Sequence, residues 1–142
     1  MALPTKLLLE IVTPDRALLS EEVDEVVVPG SEGGLGILPG HTPLLSTLKV
    51  GELWYRAGQE KHYLSLAFGF VEILPDRVTV LAQVGERAQE IDVARAERAK
   101  QRAEERLAGP MSRDDFDVER ARIALLKSLI RLQVAARART RA

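Results

Sequence analysis

The sequence predicts a β-plus-α chain: a sandwich or barrel of about eight to ten short strands, then an antiparallel hairpin of two helices. Three observations predict it. Through the first ninety residues, short apolar segments alternate with turn signals roughly every 8–12 residues. From residue 91 on, 91–107 and 118–138 run without glycine or proline and are rich in helix formers. The charge changes sign at the same place. Residues 1–90 carry 7 Lys+Arg against 13 Asp+Glu, and residues 91–142 carry 13 against 8. Periodicity, propensity and charge switch together across 85–96 (GERAQEIDVARA), which marks a boundary between domains 1–87 and 88–142.

Taken in order, 6–12 (KLLLEIV) is a strand stopped by Thr13, Pro14 and Asp15, and 16–20 is a second. Residues 22–28 (EVDEVVV) alternate and then become continuously apolar, as a strand entering a core does. After residues 45–50, segments 52–56 and 61–66 flank a glycine-containing turn, and 67–74 and 77–82 flank Pro75 and Asp76, giving two hairpins. Gly69 inside a strand predicts a bulge or a close approach of backbone.

Between them lies GSEGGLGILPGHTPLL, residues 30–45, with five of the ten glycines. A phosphate-binding loop would need a Gly-Lys-Ser/Thr end running into a helix. Here the run continues through Ile37, Leu38, Pro39 and Gly40, so tight turns at sheet corners are the reading. His41 is read as a turn or packing residue, and two histidines with no cysteine make no metal site.

In the first helix Val93, Ala96, Ala99, Ala103 and Leu107 form one mostly alanine stripe, small enough for close approach of a second helix. Asp92 sits in its first turn, where a carboxylate suits the helix dipole. Gly109 and Pro110 end it, and Ser112 or Asp114 can cap the next. The second helix has two apolar sides, Val118, Ala121, Leu125, Leu129 and Leu132 on one, Ile123, Leu126, Ile130 and Val134 on the other. One partner helix covers one stripe, not both. From Val118 to the end, Arg120, Arg122, Lys127, Arg131, Arg137, Arg139 and Arg141 against one Glu119 read either as a solvated basic face with a frayed tail or as a surface for an acidic partner.

Net charge of −1 argues against a whole-chain nucleic-acid binder, and no apolar run approaches the roughly 20 residues of a membrane helix. The apolar start is broken at once by Glu10 and shows no cleavage site, so it reads as a strand. The expectation is a soluble, intracellular chain with no direct membrane insertion.

The whole length resembles the ε-subunit family of bacterial F-type ATP synthases. The resemblance is carried by PGSEG at 29–33, GILPGHTPLL at 36–45, and Ile91, Asp92, Val93, Ala94, Arg95 and Ala96, with the alanine-rich hairpin behind them. It implies an N-terminal β-sandwich of about ten strands and a C-terminal helix-turn-helix. It implies a non-catalytic rotor subunit at the cytoplasmic face of the bacterial plasma membrane, peripheral, transmitting rotation and inhibiting ATP hydrolysis. The implied partners are the γ subunit, the c-subunit ring and, when the helices extend, the catalytic α and β subunits. Ser31, Glu32, Gly33, Gly34, Pro39 and His41 are the implied contact loop for γ and the c-ring, and Arg120, Arg122, Lys127 and Arg131 the implied inhibitory basic helix.

The family's nucleotide motif, I/L-D-x-x-R-A, is matched by Ile91, Asp92, Arg95 and Ala96. No cofactor is required by the resemblance, and ATP is implied as a regulatory ligand. By matching, its site comprises Glu86, Ile91, Asp92, Arg95, Ala96, Arg102, Lys127 and Arg131. Lys127 stands where better ATP binders have arginine, and lysine lacks the planar fork that grips phosphate. Two other readings stay open: a mechanical coupling subunit without ATP binding, and a β-domain scaffold with a nucleic-acid-binding helix. Aromatics at 4% disfavour the last, because base stacking needs them, and no nucleic-acid partner is expected.

Overall fold

The computed structural model describes residues 3–109 and 115–139. Eight strands come first: β1 (Leu7–Val12), β2 (Ala17–Val23), β3 (Glu25–Gly30), β4 (Gly33–Ile37), β5 (Leu44–Leu48), β6 (Gly51–Ala57), β7 (Glu60–Leu74) and β8 (Arg77–Arg87). A 3-10 turn, Ala88–Glu90, leads to α1 (Val93–Ala108) and α2 (Asp115–Arg139). Contacts divide the chain into two compact units, Met1–Arg87 and Ala88–Ala142.

The β-unit is built around β7. Its first half pairs with β6 and its second half, Gly69 to Ile73, with β5. β8 runs antiparallel along its other edge from Leu64 to Leu74. One strand therefore serves both layers of the sandwich. The full order is β2-β1-β8-β7-β5-β3-β4, with β6 pairing β3 and β7, and β1 lies parallel to β8. The core takes alternate residues from strand after strand, as a half-buried pleated sheet requires. Leu7, Leu9 and Ile11 come from β1, Val26 and Val28 from β3, Val71 and Ile73 from β7, Val78 and Val80 from β8, all at 0% exposure.

Three strand assignments differ from the sequence reading. The segments 61–66 and 67–74 are one strand, β7, and with β4 added the count is eight, within the expected eight to ten. They join through Phe68 and Gly69, both at positive φ (61° and 132°), where the chain turns from one layer to the other without leaving the sheet. The glycine segment is not all turn. Gly33–Ile37 pairs antiparallel with β3, placing Leu35 opposite Val28 and Ile37 opposite Val26. Glycines at every second position hid this strand, because they removed the polar half of its alternation. Finally, β8 continues past Ala82 to Arg87, since β7 still offers it a pairing edge there.

The hairpin joining β6 and β7 is tied to Asp24 and Glu25 through Arg56 and the Gly58 amide. Asp24 accepts from Lys6 Nζ at 2.5 Å and from the Gly58 amide at 2.7 Å, which holds its carboxyl below the usual carboxylate range. Tyr55, almost wholly buried, stacks on His62 and donates to Glu21 at 3.2 Å. Burial, and then the neighbouring Glu21 carboxylate, push its phenol up to about 12.

In the helical unit Ala96 and Ala103 are the buried residues of α1, and Ala121, Ser128 and Ala135 form a buried row on α2. Both sets recur at seven residues, so the two packed helices meet along a seam of small side chains. Ser128 is accommodated because its hydroxyl donates to Leu125 O at 2.8 Å. Val134 is also buried, about 140° around α2 from Ala121, and the 3-10 turn packs on α2 as well. Leu126 and Leu129 remain 44% and 42% exposed. The caps expected at Ser112 or Asp114, and Arg141 of the basic tail, lie outside the described residues.

Candidate functional site

The motif at the start of α1 is used by the fold itself. Asp92 is the N-cap: its Oδ1 accepts from the Arg95 amide at 3.0 Å, satisfying a donor that the helix leaves unpaired. The Asp92 carbonyl accepts from the Ala96 amide, closing the first turn. Ile91 is 7% exposed and Ala96 is fully buried, so both pack and neither is open to a ligand. Asp92 thus precedes the first turn, one place earlier than its sequence reading. Of the motif, Asp92 and Arg95 are exposed and charged; the Asp92 carboxylate is engaged by the cap, and Arg95 supplies the cation. Arg102, also exposed, follows seven residues later, about two turns or 10 Å along the same face.

On α2, Lys127 and Arg131 are four residues apart, one turn, and both are half-buried. Arg120 falls within about 20° of Lys127 around the helix, so these three form one row. Arg122 does not join them. It lies about 160° away from Arg120, on another side of α2. Glu86 belongs to the β-unit, opposite Ser65 in the β7–β8 ladder.

The residues expected to form one contact loop stand at two places. Ser31 and Glu32 make the tip between β3 and β4, with Gly33 at φ 132°. Ser31 is bound there to Thr47, amide to carbonyl at 2.9 Å and hydroxyl to hydroxyl at 2.6 Å. Gly34 lies in β4, opposite Pro29. Pro39 and His41 sit beyond the far end of β4, where the Gly40 amide donates to Pro75 O at 2.7 Å. His41 is a turn residue: its amide donates to Leu38 O, and its Nδ1 lies 2.6 Å from Thr42 O. Thr47 and Leu44, the β5 residues beside these two places, are roughly 10 Å apart along the strand.

Sequence reasoning missed a third feature. Thr47, Phe70, Leu81 and Val12 are successive cross-strand partners over β5, β7, β8 and β1. Phe70 is 53% exposed, Leu81 52% and Val12 37%, so the outer face of this layer carries an apolar row. Phe70, Leu81, Val12 and Pro14 border a shallow groove of about 320 Å³. Leu45, 70% exposed, adds to the same face through its pairing with Glu72. The signal was present in FGFVEIL and VTVLAQV, which are apolar at both strand parities. A strand with one solvated face needs only one. An exposed apolar row rimmed by polar groups suits burial against another protein. Among the described residues no three His, Cys, Asp or Glu stand together as metal ligands, and no helix is long and apolar enough to cross a membrane.

Residues 6–88 match the family model "ATP synthase, Delta/Epsilon chain, beta-sandwich domain", and residues 89–136 match "ATP synthase, Delta/Epsilon chain, long alpha-helix domain". The chain is 52% identical over 130 residues to the ATP synthase epsilon chain of Syntrophobacter fumaroxidans, covering 92% of this chain and 96% of that one. It is 48% identical over 126 residues to the ATP synthase epsilon chain of Nitratidesulfovibrio vulgaris, covering 89% and 92%. Its fold is similar to that of a chain in the Euglena gracilis mitochondrial ATP synthase (OSCP/F1/c-ring), with a TM-score of 0.80 at 22% identity over 99% of this chain and 84% of the other. Two domain models in chain order, and relatives of half identity over nearly their whole length, agree with the resemblance carried by GILPGHTPLL. The chain belongs to the delta/epsilon family of the ATP synthases, as an accessory subunit of the F-type central stalk and not a catalytic one.

Proposed function

We propose that the β-unit joins this subunit to γ and to the c-ring, and that the helical unit restrains ATP hydrolysis and responds to ATP. The observation that carries the docking half is the exposed row of Phe70, Leu81 and Val12. Leaving it in water is unfavourable by about 25 cal/mol per Å² of apolar surface, and a rotor neighbour removes that cost. The polar tip at Ser31 and Glu32 and the turn at Pro39 and His41 supply contacts at two further points, which suits one subunit bridging two neighbours. The assembly holds the chain peripherally at the cytoplasmic face of the bacterial plasma membrane. When the helices extend, the basic row Arg120, Lys127 and Arg131 meets acidic segments of α and β.

In the folded hairpin, Arg95 and Arg102 from α1 and Lys127 and Arg131 from α2 supply the cations for a triphosphate. ATP shifts the equilibrium toward the folded form by binding that form alone. A second reading, mechanical coupling without ATP, is favoured by one observation: Ile91, Asp92 and Ala96 each have a role inside the fold, so the motif alone does not require a ligand.

The docking half is tested with Phe70→Arg combined with Leu81→Arg in the full chain. Both side chains face outward, so the variant folds, as circular dichroism and Trp54 fluorescence will show. Purified γ captures the wild type and loses the variant by at least tenfold. Equal capture by γ would remove this face from the interface.

A further inference from the structure

The end of the β-unit is tied back to β2 by a long-range hydrogen bond from Arg87. β1 pairs with β8 only from Arg77 to Leu81, whereas β7 follows β8 as far as Arg87. The last residues of β8, Val84 to Arg87, are therefore paired on a single edge. Such a segment frays unless something else restrains it. Contacts with Leu18 of β2 help to do so. A Cβ on Gly85 would lie 3.1 Å from the Leu18 side chain and 3.3 Å from those of Leu66 and Thr13, so the backbone is pressed close against that side. Arg87 Nη2 then donates to the Leu18 carbonyl at 2.7 Å. The guanidinium also lies in the field of the buried Tyr55 phenol. On the far side of Arg87 the next residues already belong elsewhere: Ala88–Glu90 packs on α2.

We propose that Arg87 is a clasp that fixes where the β-unit ends, confining the joint between the two units to the peptide after it. The grounds are the one-sided pairing, the charge-assisted hydrogen bond to Leu18, and the absence of spare residues between Arg87 and the 3-10 turn. Without the clasp, the residues from 84 to 87 peel from β7 and lengthen the joint by up to about 14 Å of extended chain. A longer joint has more conformations to lose whenever the helical unit takes up a defined position. The regulatory consequence rests on the reading that the helices restrain hydrolysis; the clasp itself does not.

Hydrogen exchange on the full chain tests it, comparing wild type, Arg87→Ala and Arg87→Lys. In Arg87→Ala the amides from 84 to 87 exchange about tenfold or more faster, the size expected for one lost charge-assisted bond, while those from 78 to 82 are unchanged. Arg87→Lys, which still carries a donor, retains part of the protection. Unchanged exchange at 84–87 overturns the proposal. So does an equal rise at 78–82, which would make Arg87 a general stabiliser of the sheet. In the reconstituted complex, Arg87→Ala inhibits hydrolysis less than the wild type does. If a chain lacking 91–142 is no more permissive than the wild type, the regulatory reading fails, while the exchange result still decides the clasp.

Discussion

The Cβ that Gly69 lacks would lie 1.9 Å from the carbonyl oxygen of Leu81 and 2.9 Å from the Ala82 Cα. Both are backbone atoms of the neighbouring strand, so no side chain can move aside. Gly69 also sits at φ 132°, a region that L side chains rarely adopt. The layer-crossing of β7, and with it the exposed position of Phe70 one residue on, depends on this contact.

Gly69→Ala should therefore be severely destabilising, by more than about 3 kcal/mol, from clash and backbone strain together. Denaturant unfolding followed by Trp54 fluorescence measures it. A loss below 1 kcal/mol would mean that β7 can cross between layers by another route. By contrast Gly34→Ala, at a position with open space around the missing Cβ, should change stability little.

Tyr55 predicts an alkaline limit to stability. Its phenol titrates near 10 in the unfolded chain and is pushed up to about 12 in the fold. The folded state therefore keeps its proton where the unfolded state has lost it. That contribution is complete below pH 10 and is lost progressively as pH rises from 10 to 12. Absorbance of the phenolate should show a late step that Tyr55→Phe removes, and Tyr55→Phe should flatten the decline of stability above pH 10. Both curves unchanged would show that water reaches the phenol.

Residues 1–90 should suffice for coupling. A chain ending at Glu90 carries the whole β-unit and its core, and should restore coupled proton transport to a complex depleted of this subunit. Failure to assemble would mean that the helices are needed for docking.

The basic row should act as a set. Arg120, Arg122 and Lys127 changed together to Ala should raise the ATPase rate of the complex and leave assembly intact. Exposed ion pairs contribute only about 0–1 kcal/mol each, so single changes will be nearly silent. Because Arg122 lies on another side of α2, Arg120→Ala with Lys127→Ala should account for most of the rise. A rate unchanged by the triple variant, when removal of the hairpin raises it, would leave the charges without a part in inhibition.

If the folded hairpin alone binds ATP, as proposed, millimolar ATP should raise the melting temperature of the isolated chain in a dose-dependent way. Arg95→Ala should abolish the rise with the β-unit still folded. Lys127→Arg should enlarge it if the missing planar fork limits affinity. Asp92→Ala is a poor probe, because it also costs the helix cap about 1 kcal/mol; Asp92→Asn keeps the cap. No thermal shift for the wild type would favour the purely mechanical reading.

What the sequence determined by itself was local. Helix formers, Gly109 and the alanine stripe defined α1 and its packing side, because propensity and 3.6-residue periodicity act between neighbours in the chain. The switch of composition near residue 88 was equally local, and the motif GILPGHTPLL carried the family. Gly69 was legible as a close approach, because a glycine inside an apolar strand has few other reasons to be there.

Tertiary structure decided the rest, and each case turns on which strands meet. The β4 strand exists because Leu35 and Ile37 find Val28 and Val26, a pairing that no reading of GGLGI alone reveals. The apolar row exists because Phe70, Leu81 and Val12, from three separate segments, fall into cross-strand register. The expected contact loop became two places because β4 lies between them. Registers and pairings between distant segments depend on the collapse of the whole core, whereas caps, turns and helical stripes are settled within a few residues of chain.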